Sequence, residues 1–118
     1  MKLEEQLLRE YRTMLERWEK GDLYYHTKAY IKQFTVMPFR AGIKEYICAV
    51  LACSRVGLPI TSTLVSWLTG KSIEATYIEL EHLSALNVLT PIKTEDKWRK
   101  YQVNKEYIKA VYKKLSED

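Results

Sequence analysis

Two histidines and two cysteines are the side chains of this sequence best suited to metal binding or covalent chemistry. His26 and His82 lie far apart in the chain, and neither has a cysteine or carboxylate at the spacing of a metal site. Cys48 and Cys53, five residues apart on a predicted helix, point in different directions. We interpret both cysteines as packing residues and expect no metal or other cofactor. The sequence also has no phosphate loop, GxSxG or HExxH pattern, so we do not expect an enzyme.

Basic side chains cluster in the C-terminal third of the chain. The basic cluster and its tryptophan are Lys93, Lys97, Trp98, Arg99 and Lys100. Lysine and arginine neutralise nucleic-acid phosphates, and an aromatic ring beside them can stack on bases or enter the minor groove. The alternative is that these lysines only keep an exposed hairpin soluble, while the tryptophan packs over the edge of the core.

The charge is uneven along the 118 residues, which have a net charge of +4. Residues 91–118 have eight basic and five acidic side chains, a net charge of +3. Residues 61–90 have one basic and three acidic side chains, a net charge of −2. The overall balance fits a polyanionic partner, and the acidic third quarter is the main argument against one.

Hydrophobic periodicity predicts a mainly helical chain with one small β-hairpin. Residues 23–41 are rich in aromatic and β-branched side chains, and there we favour a helix over a strand at 35–37. The other predicted elements are an amphipathic helix at 2–20, a small-residue helix from 43 to Gly57, helices at 61–69 and 72–86, strands at 88–92 and 98–103, and a last helix capped by Asn104.

The order helix, helix, tight turn, helix, hairpin, helix across residues 42–115 resembles a winged helix-turn-helix domain. The segment from Ser72 to Leu89 is similar to the recognition helix of that superfamily and its step into the first wing strand, with Asn87 where many members have glycine. The resemblance implies that the helix at 72–86 enters the DNA major groove while the hairpin lies beside the duplex.

Several side chains are candidates for contact with DNA. At the start of the recognition helix we expect Ser72 and Thr76 to be exposed, together with Glu74 and Glu79, while Tyr77 faces inward. The predicted DNA-binding residues outside the basic cluster are Lys71, Ser72, Thr76, Arg40 and Lys44. An alternative for Ser72 is a helix cap without a DNA contact, and the acids on this helix disfavour phosphates.

An apolar surface for dimerisation is predicted from the helices at the two ends of the chain. We divide the chain into an N-terminal extension at 1–41 and a winged-helix domain with a C-terminal helix at 42–118. The predicted dimer surface comprises Leu3, Leu7, Leu8, Tyr11, Leu15, Trp18, Ile108, Val111, Tyr112 and Leu115. The alternative is that the first helix covers the winged domain of its own chain.

These observations favour a dimeric, cytoplasmic transcriptional regulator that binds double-stranded DNA sequence-specifically. The flanking helices resemble those of small bacterial, archaeal or viral regulators. We expect no membrane partner, because no uncharged apolar run is long enough to span a bilayer. The sequence identifies no small-molecule effector. Two alternatives are a winged-helix module that binds another protein through its acidic helix, and a nonspecific DNA-binding accessory in replication or packaging.

Overall fold

The computed structural model describes residues 2–40, 42–94 and 99–113, and within them the fold is mainly helical with one small antiparallel hairpin. The fold class predicted from the sequence is therefore confirmed. The elements are α1 (Leu3–Lys20), α2 (Asp22–Ile31), α3 (Ile43–Val56), α4 (Ser62–Thr69), α5 (Ile73–Ala85), β1 (Leu89–Ile92), β2 (Lys100–Val103) and α6 (Lys105–Tyr107), which continues as a π-helical turn over Ile108–Tyr112. Among the described residues, 35–37 form no strand, and a helix is present only in the first part of this region, in α2, after which residues 32–34 form a turn.

Helix α3 lies at the centre of the core. Its side chains from Tyr46 to Cys53 are all buried, and small residues such as Ala49 and Ala52 let α1, α4 and α5 approach it closely. Burial raises the pKa of the Cys48 and Cys53 thiols to about 12, so little reactive thiolate forms at neutral pH. These two cysteines are packing residues, as the sequence predicts.

The hairpin pairs Leu89 with Val103 and Ile92 with Lys100, and the chain before α4 adds a bridge from Ile60 to Tyr101 on the other side of β2. Strand β1 is thus the outer strand. Proline has no N–H to donate, and Pro91 is tolerated there because no further strand in the described part of the chain pairs with the outer edge of β1. This element order, with its bridge between the α3–α4 connection and β2, is compatible with a winged helix.

The N-terminal extension packs on the rest of the chain and shares its core. The Tyr30 hydroxyl donates to the Asn87 carbonyl at 2.7 Å, and the buried hydroxyls of Thr27 and Tyr107 are 2.7 Å apart. Asn87 has a φ of 60°, the left-handed conformation predicted for this turn. Two α2 side chains therefore fix the extension to the turn before β1 and to the C-terminal helix.

This packing corrects part of the predicted dimer surface. Leu7, Tyr11 and Val111 are buried within their own chain, so they are not available to a second copy in this fold. The first helix buries its apolar stripe on α3, which is the alternative considered for it. Leu8, Leu15, Trp18, Ile108 and Tyr112 are partly buried against the same core, Leu3 is half-exposed, and Leu115 lies outside the described residues.

None of the described helices is long and apolar enough to cross a membrane.

We predict that Leu7→Ala lowers the free energy of unfolding by about 2–5 kcal/mol, because the removed side chain leaves a cavity between α1 and α3. Leu3→Ala, on the same stripe but half-exposed, should cost less than about 1 kcal/mol. Urea unfolding monitored by circular dichroism measures both values. Equal small losses in the two variants would contradict the packing of α1 on the core.

Candidate nucleic-acid interface

The turn between α4 and α5 places two predicted contact residues at an exposed helix start. Gly70 takes a φ of 74° and closes α4. The Ser66 hydroxyl donates to the Lys71 carbonyl at 2.6 Å, and the Ser72 hydroxyl accepts from the Ala75 N–H at 3.2 Å. Lys71 and Ser72 are both exposed, and Ser72 caps the helix as predicted. Ser72 thus has a structural role that accounts for its presence without DNA.

The orientation of α5 about its own axis differs from the prediction. Thr76 is fully buried, whereas Tyr77 and Ile78 are 45% and 62% exposed. The expectation that Thr76 and Glu79 are exposed while Tyr77 faces inward is therefore wrong. At 100° per residue, Thr76 points between the buried Leu80 and Leu83, and Tyr77 lies about 90° from that direction. Burial of the two leucines consequently turns Tyr77 towards solvent.

A groove of about 860 Å³ lies between α5, the start of α4 and the hairpin. We call it the wing groove. Side chains with hydroxyl groups line it at the start of α4, and apolar side chains with one acid line it on α5. The hairpin contributes both apolar and basic side chains. They comprise Thr61, Ser62, Thr63, Ile73, Glu74, Tyr77, Ile78, Pro91, Ile92, Lys93, Thr94 and Arg99.

The hairpin contributes its cations to this groove in two different ways. Lys93 is exposed directly after β1, whereas Arg99 forms an ion pair with Glu81 of α5. Glu81 raises the pKa of Arg99, since the neighbouring carboxylate favours the charged guanidinium. Lys100 is half-buried on β2. The other two members of the basic cluster, Lys97 and Trp98, lie outside the described residues.

Arg40 and Lys44, the two predicted DNA contacts outside α5 and the hairpin, each form an ion pair with a glutamate of their own chain. The Arg40 guanidinium lies 3.8 Å from the carboxylate of Glu79, which is nearly buried on α5. Lys44 pairs with Glu19 of α1, and this hydrogen bond raises the pKa of Lys44. The structure therefore brings Lys93 and Arg99 into the wing groove but directs Lys44 towards α1.

Apolar side chains of the wing groove are the part that sequence reasoning missed. Ile73, Tyr77, Ile78 and Ile92 are all exposed there, although large apolar residues usually lie inside. For Ile78 a signal was present, because it lies about 160° around the helix from Leu80. Ile73 gave no such signal, because it lies seven residues before Leu80 and continues the spacing of Leu80 and Leu83. These four side chains form one apolar strip along the groove, beside the cations of the hairpin.

A second, smaller apolar groove of about 480 Å³ lies at the start of α1. It is lined by Leu3, the exposed member of the predicted dimer surface, and by Leu58, Pro59 and the half-exposed Trp67. Across the described ranges, no three His, Cys, Asp or Glu side chains are grouped closely enough to hold a metal ion.

Comparison of the chain with protein-family models, with curated proteins and with solved structures found no match.

We predict opposite effects for two neighbouring substitutions on α5. Thr76→Val should raise the free energy of unfolding by about 1 kcal/mol, because the buried Thr76 hydroxyl has no hydrogen-bond partner among the described residues. Ser72→Ala should lower it by about 1 kcal/mol through loss of the helix cap. Chemical denaturation measures both. A loss of stability in Thr76→Val would contradict the observed orientation of α5.

Proposed function

We propose that the chain is a winged-helix protein that binds double-stranded DNA through the wing groove. The observation that supports this most directly is that the start of α5, at Ile73 and Glu74, shares one groove with Lys93 and Arg99 of the hairpin. Lys71 and Ser72, just before this start, are exposed. In a helix-turn-helix, this part of the second helix enters the major groove and a wing lies beside the phosphates. The hydroxyls at the start of α4 are suited to donate to the backbone of the duplex.

The ion pairs of α5 reduce the electrostatic objection to this proposal. Of the three acids that disfavour phosphates, Glu79 is nearly buried beside Arg40, and Glu81 is paired with Arg99. Glu74 is the remaining acid of α5 that lines the wing groove. A carboxylate at this place can accept from the amino group of cytosine, so it also suits base reading.

The corrected orientation of α5 changes the residues proposed to read bases. Thr76 is replaced by Glu74 and Ile78, which line the wing groove, and by Lys71, which is exposed just before the start of α5. Lysine suits the acceptors of guanine, glutamate suits the amino group of cytosine, and an apolar side chain suits the methyl group of thymine. This set gives the helix chemistry for sequence preference besides backbone affinity.

The regulatory role and the dimer are parts of the proposal that stem from the resemblance to winged-helix regulators. A two-fold pair would place two α5 helices about 34 Å apart on one face of the duplex and would favour an inverted repeat. With Leu7 and Tyr11 buried, the exposed Leu3 and Trp67 at the smaller groove are the surface we propose for this pair.

The apolar strip supports a second candidate function, which is docking of another protein in the wing groove. Tyr77, Ile78 and Ile92 expose apolar surface beside Glu74, and exposed apolar patches mark interaction sites. A partner with a basic, apolar helix would complement this composition. Such a module needs neither phosphate contacts nor salt-dependent DNA binding, which separates it from the first candidate.

Titration of a labelled random duplex between 50 and 200 mM salt tests DNA binding. We predict that Lys93→Ala weakens binding to all sequences alike and makes the slope of log K against log salt shallower by about 1, because one phosphate contact is lost. The matched control Lys109→Ala removes the same charge from the C-terminal helix and should change neither. Absence of binding by the unaltered protein at 50 mM salt would leave protein docking as the function.

Selection of bound duplexes from a random pool tests base reading by α5. We predict that Ile78→Ala leaves affinity for random duplex nearly unchanged but weakens the preference at one base position, by about 1–3 kcal/mol at most, because a contact with a thymine methyl group is lost. Thr76→Val is the control and should select the same sequences as the unaltered protein. Identical selection by all three proteins would contradict the base-reading role of Ile78.

A further inference from the structure

Glu81 occupies a junction between α5 and the hairpin. Its carboxylate is held by the Arg99 guanidinium and accepts a hydrogen bond from the Tyr77 hydroxyl at 3.1 Å. The buried Tyr101 of β2 lies close enough that burial and this carboxylate together raise the pKa of its phenol. One acid of α5 thus contacts the hairpin arginine that lines the wing groove.

We infer that Glu81 is a specificity-determining residue that restrains Arg99 and suppresses binding of the wing groove to DNA of arbitrary sequence. The inference rests on the proposed function and deepens it. It concerns a residue that the sequence identified only as unfavourable for DNA. The geometry gives that acid a definite partner, an arginine that lines the wing groove.

The physical reason is a competition between two anions for one guanidinium. In the free protein Arg99 is already neutralised by Glu81, so transfer of Arg99 to a phosphate breaks one charge-assisted contact to make another. The transfer also leaves the Glu81 carboxylate facing a polyanion. For DNA of arbitrary sequence the exchange therefore gains little, and Arg99 adds little to the counterion release that drives such binding.

A suitable sequence can offset this cost. A cytosine amino group placed at Glu81 would donate to the carboxylate that Arg99 has left. Bound DNA then satisfies both members of the former ion pair, one through the backbone and one through a base. Glu81 is consequently expected to weaken binding to random DNA more than binding to the preferred sequence.

The test compares Glu81→Gln, Arg99→Ala, the double variant and the unaltered protein on random duplex and on the duplex selected from a pool. Glutamine keeps the shape of Glu81 and an acceptor for Tyr77 but removes the charge. Glu74→Gln is the matched control, because Glu74 lies seven residues earlier on the same face of α5. Circular dichroism and the thermal midpoint establish that every variant is folded.

We expect Glu81→Gln to tighten binding to random duplex by about three- to tenfold at 50 mM salt and to steepen the salt slope by about 0.9, the contribution of one additional phosphate contact. The ratio of selected to random affinity should fall. In the Arg99→Ala background, the same substitution should have less than half of this effect on a logarithmic scale. Glu74→Gln should have the same effect in both backgrounds, since its charge acts on DNA without the arginine.

Two results would overturn the inference, and they are distinguishable. If random duplex binds the unaltered protein and Glu81→Gln with equal affinity and slope, or if the gain is the same without Arg99, then Glu81 does not restrain the arginine. The proposed function would survive this result. If neither the unaltered protein nor Glu81→Gln binds duplex DNA at 50 mM salt, the proposed function is wrong and the inference is wrong with it.

Discussion

The packing of α5 on the core, where it meets α3, α4 and β1, decides which side chains this protein presents in the wing groove. Leu80 and Leu83 are fully buried, and their burial fixes the rotation of the helix about its axis. Full burial of such side chains contributes about 1.5–3 kcal/mol each, more than one exposed polar contact, so surface residues have little influence on this rotation. Once it is set, Thr76 must face the core and Tyr77 must face the groove. Every proposed contact of α5 follows from this one constraint.

Much of the fold could be predicted from the sequence because its signals are local. The glycine after the central helix, Ser72 as a helix cap, and the strands that follow Asn87 depend on signals within a few residues, and the structure has each of them. The helix at the centre was recognisable from its run of small residues, since close packing of three neighbouring helices requires them.

The orientation of α5 was predicted incorrectly for a reason that is also physical. Tyr77, Leu80, Leu83 and Leu86 follow one another at intervals of three, and such a series turns by about 60° per step around a helix. Thr76, Leu80 and Leu83 alternate intervals of four and three and remain on one face. The polar character of Thr76 and the apolar character of Tyr77 hid this series, because a buried hydroxyl is expected only where it has a partner.

The partners of the charged side chains could not be predicted, because each pair joins distant parts of the chain. Arg40 meets Glu79, and Arg99 meets Glu81, so the acidic third quarter of the sequence is opposed by arginines from both of its basic neighbours. Segment charges therefore exaggerate the negative charge that α5 would present to the proposed DNA partner. The surface on which the apolar stripe of α1 packs also depends on distant residues. An amphipathic helix can pack equally well on its own core or on a second copy, and only the position of α3 decides between them.

The composition of the wing groove supports selective binding better than strong nonspecific binding. Its apolar strip gains little from phosphates, which contribute most of the affinity for DNA of arbitrary sequence. Its arginine, Arg99, is already paired with Glu81, and its one acid, Glu74, lies on the helix that we propose reads bases. A groove of this kind gives weak electrostatic attraction together with several groups that distinguish base edges. In the proposed complex, affinity for DNA would depend on how well one sequence satisfies the apolar and acidic side chains of α5. For the same reason the groove suits a protein helix with matching side chains, and the salt dependence of binding is the property on which the two functions differ most.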